Sequence, residues 1–377
     1  MKSDKETIGI VTIDDYTNYG NRLQNYALTN ILQNAGFSVI NGIQVYTRED
    51  WIDNSQSLKK KLLKRIIPFF CIKKRLMHRP DHQTGLVIRR QERFKTFVDK
   101  YSFLADPVVT VSSKKAYSIL KKKYGIFKYI TGSDQVWNPY YEGKGYEFLS
   151  FVPKECSFAF AASFGVNHIP EHLIPLYAYY LRNFNYISVR EKRAAEIVFD
   201  LSGKIADVSL DPTLLLDREE WEKILRKPSF NVSDEYICSY FLGDIPEALD
   251  AFSKAKNCRV YRLNCTEDED LFIIDPCEFL YMIKNAKYVL TDSFHAVVFS
   301  IIFNKDFYVF QRQEKNVESM FSRIETITKL FNLESRIQSR NEIIEQKHID
   351  NWEWISSVLE KEKQKSIHSL IGKLREE

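Results

Sequence analysis

His295 follows directly on an apolar run, Tyr288 to Thr291, and opens the helical pattern Ser293 to Phe303. An imidazole in the first turn of a helix meets free backbone N–H groups and the positive end of the dipole, which favour the neutral, proton-accepting ring. Of the seven histidines it is the candidate acid/base, against the alternative of a capping or core residue. His168, His172, His348 and His368 fall in a loop or in amphipathic helices and read as structural. Arg190 stands where the strand pattern Tyr186 to Val189 turns into a helix, so its five donors suit an anion. An ion pair with Glu191 or a nearby carboxylate explains the same placement equally well.

Two further loops carry polar groups at strand ends: Asn18-Tyr-Gly-Asn21, and Gly132-Ser-Asp-Gln-Val-Trp-Asn138. A glycine, several hydrogen-bonding groups and an indole suit a sugar, held by stacking and by amide hydrogen bonds. Asp134 and Trp137 serve equally well as a turn acid and a core anchor. The acidic run Glu267 to Asp270 has the Asp-x-Asp spacing of a divalent-ion site but reads as a solvated loop. There is no P-loop and no complete dinucleotide glycine fingerprint.

The elements that must position these groups alternate. Ile8 to Ile13 predicts a strand, Asn21 to Ala35 a helix closed by Gly36, and Phe37 to Ile40 a second strand. Strands follow at Phe127 to Thr131, Ser157 to Ala161 and Tyr186 to Val189, with helices at 172 to 182 and 190 to 199. After a linker, strands at Tyr236 to Leu242, Arg259 to Arg262, Tyr288 to Thr291 and Phe307 to Phe310 alternate with helices at 276 to 286, 293 to 303 and 316 to 331. The expected class is α/β, with two Rossmann-like doubly wound domains facing a cleft. The first spans 1–217 with a basic helical insertion at about 51–104, the second 234–340, and a helical tail, 341–377, packs back across the first. In parallel sheets ligands bind beyond the carboxyl ends of the strands, and the polar junctions occur in both halves. The interdomain cleft is therefore the expected site.

The chain has 377 residues, 44% of them hydrophobic, enough for folded cores and too many for disorder. Its net charge of +4 is too balanced for a dedicated nucleic-acid binder. The charge is uneven, since residues 59 to 90 hold eleven Lys or Arg against the single acid Asp81. Leu62, Leu63, Ile66, Ile67, Phe69 and Phe70 lie among those lysines, as in a helix resting on an anionic membrane surface or packing on the sheet. No secretory signal or membrane-spanning run is present, and six cysteines lack the spacing of a zinc or redox site. The expected location is cytoplasmic, with peripheral contact at the inner face of the membrane if the basic run lies on lipid.

Six motifs occur in order: Asn18-Tyr-Gly-Asn-Arg-Leu-Gln-Asn-Tyr-Ala-Leu28, Gly132 to Asn138, Ala162-Ser-Phe-Gly165, Ser188-Val-Arg-Glu191, Asp211-Pro-Thr213 and Thr291-Asp-Ser-Phe-His295. Together they resemble the polysaccharide pyruvyl transferase family. The resemblance implies a glycosyltransferase-B-like fold and transfer of a pyruvyl group from phosphoenolpyruvate to a sugar of a cell-surface polysaccharide, closing a ketal across two hydroxyls. A lipid-linked oligosaccharide is an acceptor of this kind. The implied chemistry asks for a proton carrier, cations for the donor and a platform for two hydroxyls, and for no metal or cofactor.

On that basis His295 is assigned to proton transfer and Arg190 to the donor anion. Asn18, Gly20, Asn21, Arg22 and Gln24 are assigned to substrate binding, as are Gly132, Ser133, Asp134, Gln135, Trp137 and Asn138. Ser163, Phe164 and Glu191 join them, as do Ser293 and Phe294. Other branches of the family often carry an arginine where this chain has Ser293, so Arg22, Lys284 or Arg312 is expected to replace it. A nucleotide-sugar glycosyltransferase and a non-catalytic assembly subunit are the alternative readings.

Overall fold

A computed structural model describes residues 6–46, 82–101, 109–110, 113–141, 145–312, 321–341 and 347–376. The basic run 59–79, expected on a membrane or on the sheet, lies outside the described residues. Among the described residues no helix is long and apolar enough to cross a membrane.

The first half is a six-stranded sheet whose paired strands are all parallel. Strand β1, Thr7–Val11, is buried along its β-branched run and leads into helix α1, Tyr19–Asn34. Leu23, Ala27, Leu28, Ile31 and Leu32 recur at helical spacing and bury that helix. Strand β2, Ser38–Ile40, and the short pair β3, Val45–Tyr46, and β4, Val109–Thr110, flank helices α2, His82–Tyr101, and α3, Ser113–Tyr124. Next come β5, Ile126–Asp134, β6, Ser157–Ala162, helix α4, Ile174–Leu181, β7, Tyr186–Val189, helix α5, Lys192–Ser202, and β8, Asp207–Val208. The order across the sheet is β2-β1-β5-β6-β7-β8.

The second half follows the short helix α6, Arg218–Glu222. Strands β9, Tyr236–Tyr240, and β10, Arg259–Arg262, are joined by helix α7, Ala248–Lys256. Helices α8, Glu269–Phe272, and α9, Pro276–Lys284, precede β11, Tyr288–Thr291. Helix α10, Phe294–Ile302, leads to β12, Phe307–Phe310, and helix α11, Ser322–Leu330, to β13, Ile337–Gln338. The five strands, parallel throughout, are ordered β10-β9-β11-β12-β13. Helix α12, Trp352–Arg375, returns to the first half, where Lys128 Nζ donates to Leu374 O (2.6 Å) and Glu376 O (3.0 Å) at its carboxyl end.

Two departures from expectation bear on the cleft. Strand β5 runs three residues past Thr131 because Gly132 still pairs with Phe160 and Asp134 with Ala162. Polar residues there lack the period-two pattern that marks a strand. Gly132 has φ +111, and a Cβ on it would lie 2.3 Å from Phe160 O, so only glycine fits. Helix α2 belongs to the basic insertion, yet it buries Leu86, Arg90, Phe94, Phe97 and Val98, four residues and then three apart. It fills the angle between the halves rather than standing outside the alternation.

The halves meet on aromatic rings. Tyr19 of α1 stacks on Phe279 of α9 at 4.2 Å between centroids, and its hydroxyl donates to Ile274 O (3.0 Å). Arg90 lies 4.7 Å from the Tyr19 ring centre and donates to Thr17 O (2.8 Å) on one side and Phe272 O (3.1 Å) on the other. A single apolar cluster continues from Ile8 and Leu23 through Trp221 to Val297 and Leu370. The carboxyl ends of both sheets meet there, with His295 after β11 set against Gly20 after β1 and Asp211 after β8.

Candidate functional site

The start of α1 is built to grip the end of β5. Asn18 caps the helix by accepting from Asn21 N (3.2 Å), and Asn21 Nδ2 donates to Asp134 Oδ2 (3.0 Å). Gln24 accepts from Ser133 N (3.2 Å) and donates to Thr12 Oγ1 (3.1 Å). Arg22 is spent on the same turn, donating to Asp14 Oδ1 (2.8 Å), Ile13 O (2.5 Å) and Asn21 Oδ1. Asp134 keeps a left-handed backbone, φ 68, which these bonds hold in place.

Asp211, ahead of the turn Pro212–Leu214, is the hub. Its Oδ1 accepts from Thr213 N (3.0 Å) and Oγ1 (2.6 Å), and its Oδ2 from Arg190 Nη1 (2.6 Å) and Ser133 Oγ (3.1 Å). From the second half His295 brings its Nε2 to 3.8 Å from the same oxygen. Burial alone would raise both carboxyls, but His295, Arg190 and Thr213 hold Asp211 far below the usual range. Asp134, 3.4 Å from Arg190 Nη2, is likewise held low against its burial by Arg190, His295 and Arg323.

Glycine 20 makes the approach of His295 possible. A Cβ there would lie 1.9 Å from His295 Nδ1, so the α1 backbone takes the place of a side chain against the ring. His295 is buried at the first turn of α10 behind Ser293, which caps the helix without a side-chain bond. Phe294 stands edge-on to it at 5.2 Å and lies 5.2 Å from the Arg190 guanidinium. Glu191, at the start of α5, accepts from Ser163 Oγ (2.6 Å) through one oxygen, and burial raises its carboxyl above the ordinary value.

Four buried atoms of this cluster have no hydrogen-bond partner among the described residues: Arg190 Nε, Glu191 Oε2, His295 Nε2 and Arg323 Nε. Buried polar groups are ordinarily satisfied, so their convergence marks a place for a polar ligand.

Other expected residues serve the frame. Trp137 is buried in an aromatic cluster, stacked on Phe148 at 5.4 Å and packed on Phe164 and Phe184, and so anchors the core rather than offering a face to sugar. Phe164 is wholly buried in the same cluster. Asn138 donates to Gln135 (2.6 Å), bracing the loop against Gly165. The expected substitutes for an arginine at 293 are all paired: Arg22 with Asp14, Lys284 with Glu222 (2.9 Å) and Arg312 with Asp292 (3.2 Å). Within the acidic run, Asp268 caps α8 and Glu269 pairs with Arg89 (3.1 Å).

Two residues of the cluster carry no functional signal of their own in the sequence. Asp211 stands inside a motif, but its part depends on contacts with both halves. Arg323 of α11 gives no sequence signal, because an arginine flanked by serine and isoleucine reads as a solvated helix face.

Two parallel-sheet α/β halves meeting at such a cleft define a glycosyltransferase-B-like protein. Residues 18–314, most of the chain, match the polysaccharide pyruvyl transferase family model, and the chain belongs to that family. It is thus a transferase of polysaccharide modification. Among solved structures it is similar to a protein described as a UDP-N-acetylglucosamine 2-epimerase from Listeria monocytogenes, with 10% identity, a TM-score of 0.50, and 97% of this chain and 90% of that chain covered. A glycosyltransferase from Rickettsia africae aligns with 12% identity, a TM-score of 0.45, and 98% and 94% covered. No curated protein matches the sequence.

Two outcomes follow from this geometry. Gly20→Ala should displace His295 and lower any turnover that uses it by roughly 100-fold, the scale of an ångström-sized misplacement, while the chain stays folded by circular dichroism. Unchanged turnover would contradict the contact. Asp134 and Asp211 sit below their ordinary 3.8 when folded, so the stability they give is complete above that pH and lost as pH falls below it. Glu191, raised above 4.5, works in the opposite sense and favours the fold as it protonates. Asp211→Asn should therefore cost about 3 kcal/mol at neutral pH and flatten the acid limb of the denaturant-midpoint curve. A parallel acid limb in the variant would contradict the pairing.

Proposed function

We propose that this chain moves a pyruvyl group from phosphoenolpyruvate to a sugar of a surface polysaccharide or its lipid-linked precursor, forming a ketal. One observation carries the reading: a buried imidazole with a free Nε2 stands beside a strongly ionised carboxylate, where both halves of a pyruvyl transferase family member meet.

In this reading a proton is delivered to the methylene carbon of phosphoenolpyruvate, and the positive charge falls on the neighbouring carbon. A sugar hydroxyl adds there and gives up its proton, the carbon–oxygen bond to phosphate breaks, and a second hydroxyl closes the ketal. Two carbon–oxygen bonds form and one breaks. Of the two hydroxyl protons released, one balances the proton taken up by carbon and the other leaves with phosphate. His295 carries the proton, and Asp211 stabilises the imidazolium formed on the way. Glu191, buried with one oxygen unpartnered, suits a hydroxyl of the acceptor. Arg190 serves Asp211 and Asp134 through its two Nη atoms, keeping both ionised and in place, and its Nε is left open to the ligand.

A ligand that binds only the folded state raises its melting temperature. Phosphoenolpyruvate should stabilise the protein with a saturable dose response and uridine or guanosine diphosphate should not. Stabilisation by a nucleotide alone would overturn the reading in favour of a glycosyltransferase. His295→Ala should keep phosphoenolpyruvate binding within several-fold and lose roughly 10²–10⁴ in acceptor-dependent phosphate release, the range of acid–base catalysis. Near-normal turnover in that variant would sink the assignment.

A further inference from the structure

Among the described residues the arginines around the cleft have carboxylate or carbonyl partners, with one exception. Arg22, Arg190 and Arg312 face carboxylates at 2.8, 2.6 and 3.2 Å, and Arg90 donates to two backbone carbonyls and Asn264. Arg323, at the second position of α11, makes no hydrogen bond or ion pair with any described residue. It is nevertheless buried, with 8% of its surface exposed. Its guanidinium lies 5.6 Å from the centre of the Phe294 ring, the ring that also stands 5.2 Å from Arg190 and 5.2 Å from His295.

Taking a guanidinium out of water without a counter-ion is unfavourable, and a fold keeps such a group where something other than stability is returned. Burial and the positive charge of Arg190 lower Arg323 to about 10, and the nearby carboxylates offset this only in part. Asp134 and Glu191 face it electrostatically, but Asp134 is bonded to Asn21 and Arg190, and Glu191 to Ser163. The guanidinium is thus left without a hydrogen bond to either carboxylate, open to an oxyanion that enters and leaves.

We propose that Arg323 is a counter-ion of the donor, receiving the carboxylate or phosphate oxygens of a small anion held against Phe294 beside His295. The fork of the guanidinium matches both groups, so one residue can hold two oxygens and orient the molecule towards the imidazole. This rests on phosphoenolpyruvate as donor, and the two statements can fail separately.

Calorimetric titrations of wild type, Arg323→Met and Arg323→Lys with phosphoenolpyruvate, inorganic phosphate, pyruvate and uridine diphosphate test it. Arg323→Met should weaken phosphoenolpyruvate at least 30-fold, with Arg323→Lys intermediate. The arm that weakens in parallel, phosphate or pyruvate, tells which end of the donor the guanidinium holds. Without ligand Arg323→Met should melt at or above the wild-type temperature, since it removes a buried charge that makes no hydrogen bond or ion pair among the described residues; a merely structural arginine would do the reverse. Equal phosphoenolpyruvate affinity in wild type and Arg323→Met overturns the proposal, as does a lower melting temperature with affinity retained. If wild type binds only the nucleotide and Arg323→Met weakens that, the donor reading fails while the anion role of Arg323 stands.

Discussion

Burying a guanidinium costs least when carboxylates are buried with it, and Arg190 takes Asp211 and Asp134 into the interior. Each partner is then fixed from elsewhere. Asp211 is held by its own turn through Thr213 and by Ser133 from β5, and Asp134 by Asn21 from the start of α1. Three strand ends and one helix N-terminus of the first sheet are thereby tied to a single charged knot. Removing one member would leave the others as unpaired buried charges, so the arrangement is close to all-or-none.

The knot has an open side, and the second half closes it. His295 arrives there only because α1 presents a glycine, and α1 itself is set by Tyr19 stacked on Phe279 and clasped by Arg90. Packing between the halves and chemistry at the cleft are therefore one constraint, with the same helix carrying both. The unpartnered atoms on Arg190, Glu191, His295 and Arg323 are what remains after that packing is complete. They are the atoms that the proposed donor and acceptor would reach.

Much of the frame is legible in the sequence. The β-branched runs at Ile8, Tyr186, Tyr236, Tyr288 and Phe307 are strands, and the alternation with helices gives parallel sheets. His295 and Arg190 are found as candidates because strand–helix junctions can be placed from periodicity alone. What the sequence could not resolve depends on contacts far apart in the chain. Trp137 looks the same as a sugar platform and as a core ring until Phe148, Phe164 and Phe184 surround it. Helix α2 has a clear period but nothing that names its partner, and the polar tip of β5 has no period at all. Arg323 is hidden for the plainest reason: charge on a helix is usually solvated, and only burial shows that this one is not.

The most direct measurement is a structure of the protein with phosphoenolpyruvate bound. The donor should lie in the cleft with its anionic oxygens on Arg323 and its methylene carbon within about 3.5 Å of His295 Nε2, the separation of reacting atoms poised for attack. Arg190 should remain on Asp211 and Asp134. A donor bound outside the cleft, or one that pulls Arg190 away from Asp211 while leaving Arg323 without an anion, would contradict the account.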